Sequence, residues 1–141
     1  MRRFLKILGV GFLTLVLILV VSGFLLLRSF GKAMCGNEIF QESSSPNNSY
    51  KAVVFQRDCG ATTGFSTQVS ILGTNDELPN EAGNIFIMDG HPDWTDVQVS
   101  WEENDLLTVS YKNRDEVFSR KASFHIFSTV INIEYLALAE D

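Results

Sequence analysis

Residues 7–27 read ILGVGFLTLVLILVVSGFLLL, 21 positions without a charge, bracketed by Arg2, Arg3 and Lys6 before and Arg28 and Lys32 after. At about 1.5 Å per residue such a helix spans roughly 30 Å, the hydrocarbon thickness of a bilayer. Signal-peptide cores are shorter, about 7–15 residues, and end at a small-x-small site. Gly31-Lys32-Ala33 is the nearest approximation, and it carries a lysine. Met34 precedes Cys35, where a lipid-modified cysteine would need a small residue. The run is therefore expected to be a retained transmembrane helix, with the lipid bilayer as its partner.

Orientation follows from the flanking charge. Three basic residues and no acid lie in 1–6, against two basic residues after the run, so the positive-inside bias keeps the N-terminus cytoplasmic. The expected organisation is a cytoplasmic tail at 1–6, the span at 7–27, a linker at 28–49 and an extracytoplasmic β-domain at 50–141. In a bacterium the anchor would lie in the cytoplasmic (inner) membrane and the domain on its periplasmic side.

Residues 33–141 carry all 17 acidic residues and six basic ones, a formal charge of −11. Phosphate backbones and anionic lipid surfaces would repel such a domain, which excludes nucleic acid as a partner. The only cysteines, Cys35 and Cys59, both fall beyond the span. Two thiols of one small domain in an oxidising space are expected to pair. Closing that loop of about 25 residues stabilises a fold by roughly 3–4 kcal/mol on the chain-entropy model.

The domain reads as all-β. Residues 50–57 (YKAVVFQR), 67–72 (TQVSIL) and 84–88 (NIFIM) are short strands separated by stretches rich in Gly, Asn, Asp and Pro. Residues 97–101 (VQVSW) alternate apolar and polar. After Glu102-Glu103-Asn104-Asp105 the alternation resumes in Leu107, Val109 and Tyr111. That is a hairpin with one buried face and one wet face. Residues 112–116 form a turn, and 117–127 and 130–135 supply the remaining strands. The expectation is an N-terminal transmembrane helix followed by a small antiparallel sheet or sandwich of six to seven short strands.

The segment Arg57-Asp58-Cys59-Gly60-Ala61-Thr62-Thr63, continuing to Ile71, resembles the central motif of a family of small bacterial proteins of unknown function. The likeness extends to the preceding Ser45-Pro46 turn and to Asn84-Ile85-Phe86-Ile87. It implies a bacterial source, an N-terminal anchor and an extracytoplasmic domain. It implies no activity.

Three constellations carry possible chemistry. Cys59 as a nucleophile would need His91 or His125 to lower its thiol pKa, with Arg57 facing an oxyanion. That set would make a cysteine-dependent hydrolase or transferase. Sortases place a histidine upstream of the cysteine, after a Thr-Leu-x-Thr-Cys segment, and this chain has neither feature. Asp89, Asp93 and Asp96, on a loop bent by Gly90 and Pro92, offer oxygen ligands that could surround a hard divalent cation. The plainer reading is an interstrand turn whose aspartates accept backbone N–H bonds and whose Trp94 covers the core edge. Glu102, Glu103 and Asp105 read as a solvated charge run, not as a glycosidase pair. Asp58, Thr62 and Thr63 read as a rigid polar connection beside Cys59. No phosphate loop, G-x-S-x-G or C-x-x-C motif is present. The functional expectation is a non-catalytic domain, without a cofactor, that binds or supports another envelope component.

Overall fold

A computed structural model describes residues 1–60, 63–112 and 116–139; of residues 2–8, 10 and 27–33 it describes the helical backbone and not the side chains. The chain divides into two compact units, residues 1–34 and 35–141.

The first unit is a continuous helix, α1 (Arg2–Ala33). Leu, Val, Ile and Phe crowd its sequence and no proline interrupts it, so nothing in the chain breaks the backbone ladder. The basic flanks Arg2, Arg3, Lys6, Arg28 and Lys32 fall outside the described side chains. Among the described residues no helix is long and apolar enough to cross a membrane.

The second unit is built almost wholly of strands: β1 (Gly36–Ser44), β2 (Tyr50–Asp58), β3 (Phe65–Gly73), β4 (Phe86–Asp89), β5 (Gln98–Glu103), β6 (Leu106–Lys112), β7 (Val117–Arg120), β8 (Ser123–Ile126) and β9 (Thr129–Leu138). One helical turn, α2 (Pro92–Thr95), joins β4 to β5. The strands form a five-stranded sheet in the order β1-β2-β3-β4-β7 and a four-stranded sheet in the order β5-β6-β9-β8. Every pairing is antiparallel except that of β6 with β9, which run parallel from Leu106↔Asn132 to Lys112↔Leu138.

The all-β reading stands, with three differences. Residues 36–44, read as linker, form edge strand β1 and pair with β2 along its length. Residues 117–127 do not make one strand. They divide into β7 and β8, which join different sheets. The total among the described residues is nine strands and not six or seven, and the four-stranded sheet is mixed. The turn expected at 112–116 falls mostly on residues 113–115, outside the described residues.

The alternating residues become the core between the sheets. Val97 and Val99, with Leu107, Val109 and Tyr111 of β6 and Ile131 and Ile133 of β9, meet Ala52, Val54, Val69, Ile71, Ile85, Phe86 and Met88. Phe86 is fully buried, with its ring 5.2 Å from Tyr111 and 5.6 Å from Tyr135. Truncating Phe86→Ala removes those ring contacts and leaves a cavity, so the domain should lose about 3–5 kcal/mol of stability in urea denaturation.

Tyr135 links the sheets by a second route. Its hydroxyl receives the Lys121 N–H at 3.2 Å and lies 3.2 Å from the Ile85 carbonyl and 3.0 Å from that of Lys121, to which its one proton can be donated. Burial pushes the phenol up to about 12 from its ordinary 10. The neutral form is the one the fold favours, so its contribution is complete below pH 10 and is lost as pH rises from 10 towards 12. Denaturation followed over that range should show stability falling more steeply in the wild type than in Tyr135→Phe.

Candidate functional site

Most of the sequence-derived candidates, Arg57, Asp58, Cys59, Asp89, His91 and Asp93, lie at one end of the sandwich. Register fixes that end: Gly36 faces Asp58, Asp58 faces Phe65, and Ser66 faces Asp89. The chain enters the domain here, and Cys35, just before β1, is disulfide-bonded to Cys59, just after β2. In that state Cys59 presents no thiolate, so the nucleophile needed for hydrolase or transferase chemistry is missing. His125 lies exposed on β8, an edge strand of the other sheet.

Beyond Cys59 the Asp58 side chain accepts the Gly60 N–H at 2.8 Å, and Thr63 donates both its N–H and its hydroxyl to the Gly60 carbonyl at 3.1 Å. Gly60 holds φ +98°, open to glycine and strained for other residues. Thr62 lies outside the described residues. Asp58 and Thr63 thus brace the connection through their own backbone contacts.

Arg57 does not face an oxyanion position. Its Nη1 donates to the Asn37 side chain at 2.6 Å and to the Asn80 side chain at 3.1 Å. Asn37 in turn donates to the Pro79 and Glu81 carbonyls, and Asn80 donates to the Cys35 carbonyl. This set stitches the first residues of the domain to the loop at 74–85. Sequence reasoning missed it, because three amide and guanidinium groups far apart in the chain carry no periodic signal.

The turn after β4 also differs in detail from expectation. Gly90, at φ +99°, turns the chain and donates its N–H to the Phe65 carbonyl. His91, not an aspartate, caps α2: its Nδ1 accepts the Asp93 N–H at 3.2 Å, and Pro92 follows at the first helical position. Thr67 donates to the Gly90 carbonyl at 2.9 Å, which leaves the buried Thr95 hydroxyl to donate to Thr67 Oγ1 at 2.9 Å.

The three aspartates go separate ways. Asp89 is exposed at the end of β4, and Asp93 leans towards His91 at 3.4 Å. Asp96, in the left-handed conformation at φ 50°, accepts from Gln98 at 3.0 Å and pairs with Lys112 at 3.4 Å. The Gln98 hydrogen bond, then the Lys112 ammonium, hold its carboxyl below the ordinary carboxylate value. Among the described residues no group of three or more His, Cys, Asp or Glu side chains could hold a metal ion. Glu102, Glu103 and Asp105 are exposed at the β5–β6 turn, at the far end of the sandwich.

What this end does assemble is an aromatic cluster. The His91 ring stands edge-on to Phe40 at 5.4 Å and to Phe65 at 5.6 Å, and lies tilted 5.6 Å from Trp94. Trp94 does not cover the core; it is 64% exposed.

The disulfide closes a loop with a sequence separation of 24. Replacing both cysteines by serine should lower stability by roughly 3 kcal/mol in chemical denaturation, the loop-entropy value for that length. The wild-type thiols should alkylate only after reduction.

Comparison with family models places residues 2–122 in a family of unknown function, DUF5412, and the chain belongs to that family. Neither the curated proteins nor the solved structures include a match to it.

Proposed function

We propose that this member of DUF5412 is a single-pass membrane-anchored protein whose β-domain lies outside the cytoplasm and binds or supports another envelope component without catalysing a reaction. One observation carries the anchor: between residues 12 and 26 of α1 the exposed side chains are apolar but for Thr14 and Ser22, whose hydroxyls donate to helix carbonyls three and four residues back. Phe12, Leu13, Leu15, Leu17, Ile18 and Leu19 alone step through more than a full turn without a polar stripe. An amphipathic helix would leave one face for water. A helix that is apolar all round and exposed has lipid as its natural solvent.

The topology rests on the basic flanks. Arg2, Arg3 and Lys6 stand before the uncharged run, and the −11 domain stands after it. The Cys35–Cys59 bond fits an oxidising compartment such as the periplasm of a bacterium. The non-catalytic reading rests on where the candidate groups go: the cysteine is oxidised, the histidines lie on separate elements, and Arg57 is engaged by amides.

Expressed in a bacterial host, the full chain should stay with the membrane pellet through alkaline carbonate extraction. Protease added to spheroplasts should remove the domain. Release by carbonate, or a domain protected until the membrane is lysed, would overturn the anchor or its orientation respectively.

A further inference from the structure

The turn between β8 and β9 holds a residue that folding alone does not ask for. Ile126 pairs with Thr129, so Phe127 and Ser128 form a two-residue hairpin connection. Phe127 sits there at φ 52°, in the left-handed region. Glycine, asparagine and aspartate suit such a position, whereas a bulky ring is a strained outlier. Core packing does not offset the strain. The ring is 87% exposed, more than any other large apolar side chain described in the domain. Strained residues of this kind collect where a protein holds a ligand.

Phe127 lines a shallow, open recess of about 380 Å³, together with residues 48–50 and the turn at 73–76. Small-molecule sites begin at roughly 300 Å³. The segments that meet there are locked to one another. Thr74 donates its N–H to the Ser49 carbonyl at 3.1 Å and its hydroxyl to Asn48 Oδ1 at 3.2 Å. Tyr50 donates its hydroxyl to Thr129 Oγ1 at 2.8 Å, which ties the start of β2 to the Phe127 turn. Asp76 Oδ2 accepts the Gly73 N–H at 3.2 Å, and a Cβ on Gly73 would lie 2.6 Å from that oxygen. The walls are set before any ligand arrives.

The groups left over define the ligand. Among the described residues, Asn48 Nδ2, Ser49 Oγ, the Asn75 amide and Asp76 Oδ1 have no hydrogen-bond partner within the protein. They offer donors and acceptors beside an aromatic ring. No basic side chain lines the recess, so a phosphate or carboxylate would find no counter-charge there. The domain's formal charge of −11 repels both. A neutral sugar matches the set: its hydroxyls donate and accept, and its C–H face packs on the negative face of a ring.

We infer that this recess binds a neutral sugar unit, stacked on Phe127 and hydrogen-bonded by Asn48, Asn75 and Asp76. The inference rests on the binding role proposed above and gives its ligand a chemical class. It draws on residues 48–129 alone, so the anchor and the site stand or fall separately.

Calorimetric titration of the full chain, in a detergent without a sugar headgroup, tests the site with cellobiose and N,N′-diacetylchitobiose. At least one of them should give a saturable heat. Phe127→Asn should weaken that binding about tenfold, the scale of one stacked ring. Its Tm should stay level or rise, because asparagine suits the left-handed turn. Asn48 also holds a positive φ, of 53°, which aspartate tolerates. Asn48→Asp therefore keeps the turn and the acceptor for Thr74, removes the amide donor, and should weaken binding severalfold. Sedimentation with purified cell-wall sacculi separates the two sources of such a sugar. Wild type carried down while Phe127→Asn stays in solution places the sugar in the wall polymer; wild type left in solution makes it a soluble saccharide.

Absence of a saturable heat with either disaccharide would overturn the site. Unchanged affinity in Phe127→Asn would overturn the role of the ring, and so would a drop in its Tm, which would make the ring structural. Tighter binding of glucuronic acid than of glucose would overturn the neutral class.

Discussion

Strands β2 and β3 are buried on both faces, and the rest of the domain is arranged to cover them. From Ala52 to Gln56 every residue of β2 is buried, and Thr67 to Ile71 match them across the register. The inner face, with Ala52, Val54, Val69 and Ile71, is covered by the four-stranded sheet. The outer face, with Val53 and Phe55 opposite Ser70 and Gln68, needs a second cover, and the loop at 74–85 supplies it. A loop over a buried surface must satisfy its own backbone groups. Gln68 accepts the Gly83 N–H, Ser70 accepts the Asn84 N–H, and the Asn84 side chain returns two bonds to the Ile71 backbone. Gly83 comes so close that a Cβ there would lie 2.9 Å from the Val69 carbonyl and 3.0 Å from Gln68 Cβ. A side chain at that position would lift the cover.

This two-sided burial explains which parts of the fold could be read from residues alone. Strands β5 and β6 face water on one side, so their alternation survives as a pattern in the sequence and as alternating burial in the structure. Strand β2 has no wet face and shows only a β-branched, aromatic run, which marks a strand but not its partners. Strand β1 is the reverse. Its sequence, GNEIFQESS, is polar because it forms a mostly exposed edge, and polar edges look like linkers. The parallel pairing of β6 with β9 depends on the path of β7 and β8 between them, which no local pattern encodes.

The site was legible to the same degree. Residues 89–96 announced a turn through glycine, proline and aspartate, and a turn is what forms. Its aspartates suggested a cation because acidic side chains close in sequence look close in space. In the folded chain the backbone disperses them, and the residue that organises the turn is His91, which combines a capping nitrogen with an aromatic ring. Neither role is visible without Phe40 and Phe65, which lie 51 and 26 positions upstream.

The place of the disulfide follows from β1 being an edge. Strand β1 is paired on one side only, to β2, through eight register positions that begin at Gly36. Any pull arriving along the chain at Met34 would reach the first of these pairs and could open them one after another, since each pair bears the load alone in turn. The bond from Cys35 to Cys59 closes that path. Load passes from Cys35 directly to the end of β2, a strand flanked on both sides and buried on both faces. To yield there, the domain would have to break the β1 and β3 pairings together with the core between the sheets. The covalent link thus transfers the mechanical point of attachment from the weakest strand of the sheet to its best-supported one. The Asn80 bond to the Cys35 carbonyl and the Arg57–Asn37 contact lie beside that link, where they hold the loop cover and the incoming chain in one network.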